Sequence, residues 1–212
     1  MKHIHKNADP NSFTDWKLLA NDDWQPSWLN FQDPQKAEVK KSLLAEQGSI
    51  CCYCEKDIRN TESHIEHIRP RSNPVYSGDE LHYGNLLCSC GPKSKKGTPS
   101  HCGDKKGDWY DEHNFISPLT PDCEDRFNYT AYGEIIPNRE DDNVAKVTID
   151  KLGLNVPSLI ALRRARIDVF LDSDINEVEQ KEFLTNYIET NTDGSFNEFW
   201  TTANHFLRNN FA

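Results

Sequence analysis

The sequence predicts an α+β fold in which a small zinc-stapled core is set in a mostly helical chain. Three observations predict it. Six of the seven cysteines lie between residues 51 and 102, that segment is rich in turn-forming residues, and helical apolar spacing dominates from residue 143 onward. A chain of 212 residues is long enough for one good core, or for a small domain with an appended helical one.

The first half of the chain is predicted to hold one helix and two short strands. Residues 1–30 carry three tryptophans and little periodicity, and we expect them to be irregular. A helix is expected from Asp33-Pro34 to about Gln47, because Asp accepts hydrogen bonds from first-turn amides, Pro suits the first helical position, and Gly48 can end the helix. Short strands are expected around Ser63–Ile68 and Gly84–Leu87, and a basic loop over residues 91–100.

The second half is predicted to begin with loops and a strand pair around Phe127–Ile136, and then to be helical. Its last helix is expected to start at Ser195, because Ser195-x-x-Glu198 has the spacing of a capping box and is followed by apolar residues at helical spacing. The other three helices are predicted at Asn143–Leu152, Pro157–Leu171 and Glu177–Ile188.

The composition indicates a soluble, cytoplasmic protein with no membrane segment. No apolar run approaches the roughly 20 residues that a membrane span needs, and no charged-then-apolar leader opens the chain. Cytosolic thiols stay reduced, so the cysteines are not expected to form a disulfide framework. Their clustering indicates a metal site instead.

The spacing of the cysteines predicts a structural zinc site. In Cys51-x-x-Cys54 a tight turn can bring two thiolates to one tetrahedral ion, whereas Cys52 does not fit that turn. Cys88 and Cys90 are two residues apart, so one of them is expected to bind, paired with Cys102. The expected ligands are Cys51, Cys54, Cys90 and Cys102, with Cys88 or His101 as alternatives.

The charge of the chain is unevenly distributed. The formal net charge is −10, yet the segment from His64 to Gly107 carries seven Lys or Arg against four acidic residues, a net of +3. A basic island in an acidic chain fits contact with phosphate at that island. The plainer alternative is a solvated lysine loop at residues 93–96.

Several motifs follow one another in a specific order around this island. Glu66-His67-Ile68-x-Pro70 is followed by Asn85-Leu86-Leu87, a cysteine, and then Cys102-Gly103-Asp104-Lys105-Lys106. Over residues 51–107 this order resembles the HNH (ββα-metal) endonuclease family. The resemblance implies a ββα-metal core and metal-dependent hydrolysis of phosphodiester bonds in nucleic acid.

The resemblance also implies roles for individual residues. His67 matches the general base, Glu66 the acidic ligand of a catalytic Mg2+ or Mn2+, and Asn85 the residue that orients the base. Gly103 stands where the family commonly has a His or Asn ligand, so Asp104 is the expected substitute. Cys90 lies where the family's third zinc cysteine usually falls, which favours it over Cys88. His64 has no match in the family's pattern, and it is expected to be either a supporting metal ligand or a phosphate contact. Further phosphate contacts are expected from Arg69, Arg71, Lys105 and Lys106.

Over most of its length, the chain resembles the PtuB group of HNH subunits, which belong to Septu-type and retron-associated anti-phage systems. The matching stretches are LLAEQGSICCYCEKDI, HIEHIRP, YGNLLCSC, HCGDKKG and LGLN. This implies a companion PtuA-like ATPase of the ABC/OLD type in a hetero-oligomeric complex, and association with a retron reverse transcriptase and its msDNA. The substrate that this resemblance implies is nucleic acid, either DNA or RNA.

Three segments are expected on this reading. Residues 1–48 form an aromatic-rich N-terminal segment and helix, residues 49–115 the HNH nuclease core with its zinc site, and residues 116–212 a loop region and helical part that docks a partner. The alternative function is a catalytically inactive zinc module that binds nucleic acid or protein. Glu66-His67 together with Asn85 argues against that alternative, because a zinc module needs neither a base nor a residue to orient one.

Overall fold

The computed structural model describes residues 1–91, 100–171 and 174–211. Its helices and two antiparallel strand pairs confirm the predicted α+β class. The pairs are β1 (Ser63–His67) with β2 (Leu86–Cys90), and β3 (Phe127–Tyr129) with β4 (Ile135–Pro137). The α-helices within the described residues are α1 (Asn11–Lys17), α2 (Gln35–Glu46), α3 (Cys102–Lys106), α4 (Asn143–Lys151), α5 (Pro157–Phe170), α6 (Glu177–Ile188) and α7 (Trp200–Phe211).

The β1–β2 pair lies at the centre of the cysteine segment. In its register Glu66 faces Leu87 and His67 faces Leu86. Every residue of β2 is buried, as expected for an apolar run covered on both faces. The Gln47 side chain fixes the free edge of β2, because its amide donates to the Cys88 carbonyl at 2.8 Å and accepts from the Cys88 N–H at 2.6 Å. The end of α2 is thereby attached to the strand that carries the cysteines.

The N-terminal segment is more ordered than predicted. The expectation of irregular structure over residues 1–30 is wrong at α1, which begins after Pro10. Phe13 and Trp16 lie three residues apart on its inner face, and both rings pack against Phe31, with centroids 5.0 and 5.2 Å away. These aromatic side chains therefore belong to the core of the protein.

The C-terminal helix begins later than predicted. The Ser195–Glu198 capping box is wrong, because α7 starts at Trp200 and the Ser195 hydroxyl donates instead to Asp193 Oδ1 at 2.6 Å. Glu198 pairs with Arg166, 2.7 Å away. Among the described residues a capping box is found at α6, where Asn176 and Glu179 exchange side-chain to backbone hydrogen bonds.

The buried apolar residues form one core cluster to which all three predicted segments contribute. A buried ion pair lies beside it, since the Met1 ammonium is 3.0 Å from Glu55 Oε1. Thr201, in the first turn of α7, donates to the same carboxylate from its N–H and its hydroxyl. In the part of the chain that the structure describes, no helix has the length and apolarity to cross a membrane. The predicted basic loop, with Lys93, Lys95 and Lys96, lies outside the described residues.

Candidate zinc centre and catalytic site

Four buried cysteines come together between the turn before β1, the end of β2 and the start of α3. The Sγ atoms of Cys51, Cys54, Cys90 and Cys102 all lie within 4.8 Å of one another. Four thiols gathered at this distance in a buried position are the donor set of a structural zinc site, and they could hold that ion. The four ligands chosen from the spacing are the four that the fold brings together.

The remaining cysteines of the segment, Cys52 and Cys88, lie outside this group of four. The Cys88 thiol lies 3.8 Å from the carbonyl of Lys40 in α2, and burial raises the pKa of Cys88 to about 12. Burial likewise raises the pKa of Cys52, so both are neutral thiols at pH 7. His101 reaches two members of the cluster, with Nδ1 3.2 Å from Cys102 Sγ and 3.7 Å from Cys90 Sγ.

Glu66 is buried on β1 with its two carboxylate oxygens in different surroundings. Oε1 lies 3.0 Å from the Lys106 ammonium and accepts a hydrogen bond from the Tyr53 hydroxyl at 3.2 Å. Oε2 lies 3.4 Å from His64 Nε2. Burial alone would raise the pKa of Glu66, but the hydrogen bond from His64 and the charge of Lys106 outweigh it and lower that pKa. Glu66 is therefore an ionised carboxylate inside the protein.

His67, next along β1, is held in one tautomer. Its Nε2 lies 3.0 Å from the backbone carbonyl of Glu80, which can only accept, so Nε2 carries the proton and Nδ1 carries the lone pair. Burial lowers the pKa of His67 despite this hydrogen bond. At neutral pH the ring is consequently uncharged and able to accept a proton at Nδ1.

Asn85 joins the end of β1 to the loop that follows it. Its Oδ1 accepts from the Arg69 N–H at 2.8 Å, and its Nδ2 donates to the carbonyls of Arg69 and Asp79 at 3.0 and 3.1 Å. Asp79 immediately precedes Glu80, whose carbonyl holds His67. Asn85 thus acts on His67 through the loop backbone.

Sequence reasoning missed the residues that surround His67. The Trp28 indole packs edge-on against the His67 ring, with centroids 4.3 Å apart, and the backbone N–H of Trp28 donates to Glu80 Oε1 at 2.9 Å. Two cations flank the indole: Lys36 Nζ lies 5.0 Å and the Arg71 guanidinium 5.6 Å from its centroid. No local signal connects Trp28 to His67, because the contact exists only in the folded chain.

The predicted phosphate contacts occupy different environments. Arg71 and Lys105 are exposed, and Arg69 is half-buried with Nε 2.9 Å from Asp79 Oδ2. Lys106 differs from the expectation, because its side chain is only 1% exposed and its ammonium donates to the His67 carbonyl at 2.9 Å. It is positioned to neutralise Glu66 rather than to meet a phosphate in solvent.

His64, Gly103 and Asp104 border one open pocket of about 710 Å³. Within the described ranges, the four cysteines are the only group of three or more metal-binding side chains that the geometry gathers, so Glu66, His64 and Asp104 do not form a second one. A carboxylate oxygen beside an imidazole nitrogen is nevertheless a donor pair suited to a divalent cation. These residues fit such an ion in chemistry.

Comparison with known proteins identifies the family. The chain is 35% identical to the predicted HNH endonuclease of retron Vc95 from Vibrio cholerae serotype O1 biovar El Tor, over 144 residues that cover 66% of this chain and 67% of that protein. This chain belongs to the HNH endonuclease family. It is also 24% identical to the predicted HNH endonuclease of retron Ec83 from Escherichia coli, covering 77% and 78% of the two chains. No protein-family model matches this chain.

Proposed function

We propose that this HNH family member is a metal-dependent endonuclease that hydrolyses phosphodiester bonds of nucleic acid as an effector of anti-phage defence. The observation that carries the proposal is the tautomer of His67: Nε2 donates to the Glu80 carbonyl, and Nδ1 is left to accept a proton. A zinc module that only binds has no use for a neutral, buried imidazole held in this way.

His67 acts as the general base in this mechanism. Nδ1 takes the proton of a water molecule as the water oxygen attacks phosphorus and the bond from phosphorus to the leaving oxygen breaks. Glu66 binds the catalytic Mg2+ or Mn2+ through its ionised carboxylate, and Asp104 is the second proposed ligand because it lines the adjoining pocket. When bound, that ion supplies positive charge near the developing oxyanion.

We propose that β1, β2 and α3 form the ββα-metal core, and that a structural zinc ion bound by the four cysteines holds these elements together. A short helix and a two-stranded sheet bury little surface alone, and a tetrahedral ion that joins the turn, β2 and α3 would stabilise their arrangement. The staple would also fix α3, which carries Lys106 to Glu66.

The surface beside His67 is the proposed nucleic-acid contact. Arg71 and Lys36 supply positive charge for phosphates that flank the scissile bond, and the Trp28 indole between them offers an apolar face for a base or sugar. Arg69 and Lys105 extend this basic surface. The net charge of −10 makes such a local surface the expected route to a polyanion.

The proposed partner is an ABC/OLD-like ATPase resembling PtuA. Support comes from the resemblance of the chain to PtuB and from the two relatives named for retrons. A retron reverse transcriptase with its msDNA is the second proposed partner on the same grounds. An acidic nuclease that binds substrate weakly alone would gain its specificity from such a complex.

The test compares wild type with His67→Ala on plasmid DNA and on total tRNA, in Mg2+ or Mn2+, with and without a PtuA-like ATPase. His113→Ala is the control, because His113 is an exposed histidine in a loop. Cleavage should fall about 100- to 10,000-fold in His67→Ala and stay at the wild-type level in His113→Ala. The zinc content should be unchanged in both variants. If wild type cuts neither substrate under any of these conditions, the chain is better described as a zinc module for binding.

A further inference from the structure

His64 and Glu66 point to the same side of β1, because alternate residues of a strand share a face. Both are fixed by pairing with β2, where His64 faces Ser89 and Glu66 faces Leu87. The resulting separation between His64 Nε2 and Glu66 Oε2 is 3.4 Å. Backbone geometry therefore sets an imidazole nitrogen beside a carboxylate oxygen.

The two carboxylate oxygens of Glu66 have different partners. Oε1 is engaged by Lys106 and Tyr53, which anchor the carboxylate from inside the protein. Oε2 faces His64 and the backbone of Gly103. The anchored oxygen keeps Glu66 ionised and immobile, so the other oxygen is a preorganised ligand atom.

The backbone of Gly103 packs closely against this pair. A Cβ atom at position 103 would lie 2.5 Å from Glu66 Oε2 and 2.7 Å from His64 Nε2, between the two donor atoms. The backbone of Gly103 is not in the left-handed region, so close approach rather than dihedral freedom requires glycine here. Its N–H donates to Ser89 Oγ at 3.1 Å, which holds the start of α3 against β2.

We infer that His64 Nε2 and Glu66 Oε2 jointly bind the divalent cation of this site, so that His64 is a metal ligand and not a phosphate contact. Ligands about 2.0–2.1 Å from one ion are separated by about 3.0 Å in octahedral and about 3.4 Å in tetrahedral geometry. The observed 3.4 Å falls at the end of that range. The inference rests on the proposed nuclease function and replaces a ligand that Gly103 cannot supply.

Binding of Mn2+ to the zinc-loaded 212-residue chain tests the assignment without any substrate. Mn2+ affinity, measured by electron paramagnetic resonance, should fall about 10-fold or more in His64→Gln. Pulsed electron paramagnetic resonance on wild type with bound Mn2+ should show the coupling between Mn2+ and a directly bound imidazole nitrogen. That coupling should disappear in His64→Gln and persist in both His67→Ala and His113→Gln.

A second variant covers the case in which His64→Gln disturbs the strand. Gly103→Ala keeps both donors but places a methyl group between them, and it should weaken Mn2+ binding by a similar factor while zinc content stays at wild-type level. Wild-type Mn2+ affinity in both variants, a nitrogen signal that survives in His64→Gln, or no Mn2+ binding by wild type would each overturn the inference.

The two proposals fail in distinguishable ways. If wild type cuts nucleic acid through His67 but His64→Gln binds Mn2+ normally, the nuclease stands and the ligand assignment falls. If wild type binds Mn2+ through His64 yet cuts nothing, the ligand assignment stands and the nuclease falls.

Discussion

The Lys106 ammonium lies 3.0 Å from Glu66 Oε1, and both side chains are almost fully buried. The same ammonium donates to the carbonyl of His67 at 2.9 Å. One residue of α3 therefore holds both members of the Glu66-His67 pair on β1. Removing one partner of a buried ion pair leaves an uncompensated charge, which costs far more than the loss of an exposed pair.

Lys106→Met should destabilise the protein and disturb its site together. The substitution keeps the volume of the side chain but removes the buried ammonium that pairs with the Glu66 carboxylate, which should cost about 3–5 kcal/mol of unfolding free energy. Urea denaturation at pH 7 measures this loss. Lys105→Met is the matched control, since Lys105 is the exposed neighbour on the same helix. Equal stability for the two variants would contradict the role assigned to Lys106.

Cys90→Ser and Cys88→Ser should differ in zinc content. Cys90 Sγ lies 3.7 Å from Cys54 Sγ within the cluster, whereas Cys88 Sγ faces the carbonyl of Lys40. The first substitution removes a thiolate from the proposed site and should lower bound zinc and thermal stability together. The second should retain about one zinc per chain. The zinc content of the two purified variants shows which cysteine is the ligand. Loss of zinc in Cys88→Ser, with zinc retained in Cys90→Ser, would make Cys88 the ligand.

Local pattern was sufficient to predict the elements that depend on local chemistry. Cys51-x-x-Cys54 lies in a turn and Glu66-His67 lies on a strand, as their local patterns predict. The helix after Pro34 ends at Glu46, just before Gly48, whose φ of 55° suits the residue that leaves a helix.

The failures have a common cause, which is that tertiary partners decide between local alternatives. Ser195 has the sequence of a helix cap, but Asp193, Asn191 and Arg59 all hydrogen-bond its hydroxyl in the folded chain. Lys106 is a basic residue in the last turn of a short helix, a position typical of exposed side chains. Only the fold shows that it turns inward to Glu66.

Alkaline pH should destabilise the protein through Met1. Burial lowers the pKa of its ammonium, but the interactions with Tyr129 and with the Glu55 carboxylate outweigh burial and raise that pKa from 8.0 to about 11. A group with a raised folded-state pKa stabilises fully below pH 8, and that contribution is lost as the pH rises towards 11. Unfolding free energy measured by urea should therefore fall over that interval. This loss of unfolding free energy should be smaller in Glu55→Gln, because that variant lacks the carboxylate 3.0 Å from the ammonium. An identical pH dependence in wild type and Glu55→Gln would contradict this account.

Trp28 should influence cleavage in two separable ways. Its indole contacts the His67 ring at 4.3 Å and helps to bury it, and burial is the main reason why the pKa of His67 lies below 6.5. In wild type the rate should be constant near neutral pH and fall only where His67 becomes protonated, below pH 6.5. Trp28→Ala should expose the His67 ring to water and so raise its pKa. The fall in rate at acid pH, the acid limb of the pH–rate profile, should then move to higher pH.

Trp28→Phe separates the two effects, because it keeps an apolar ring over His67 but reduces the surface offered to a base and to the flanking cations. We expect Trp28→Phe to retain the acid limb of wild type and to raise KM, whereas Trp28→Ala should change both. Rates are measured at saturating Mn2+. Protons that compete with the metal for its ligands then do not contribute to the fall in rate at acid pH. An acid limb that stays in place in Trp28→Ala would mean that Trp28 does not control the protonation of His67.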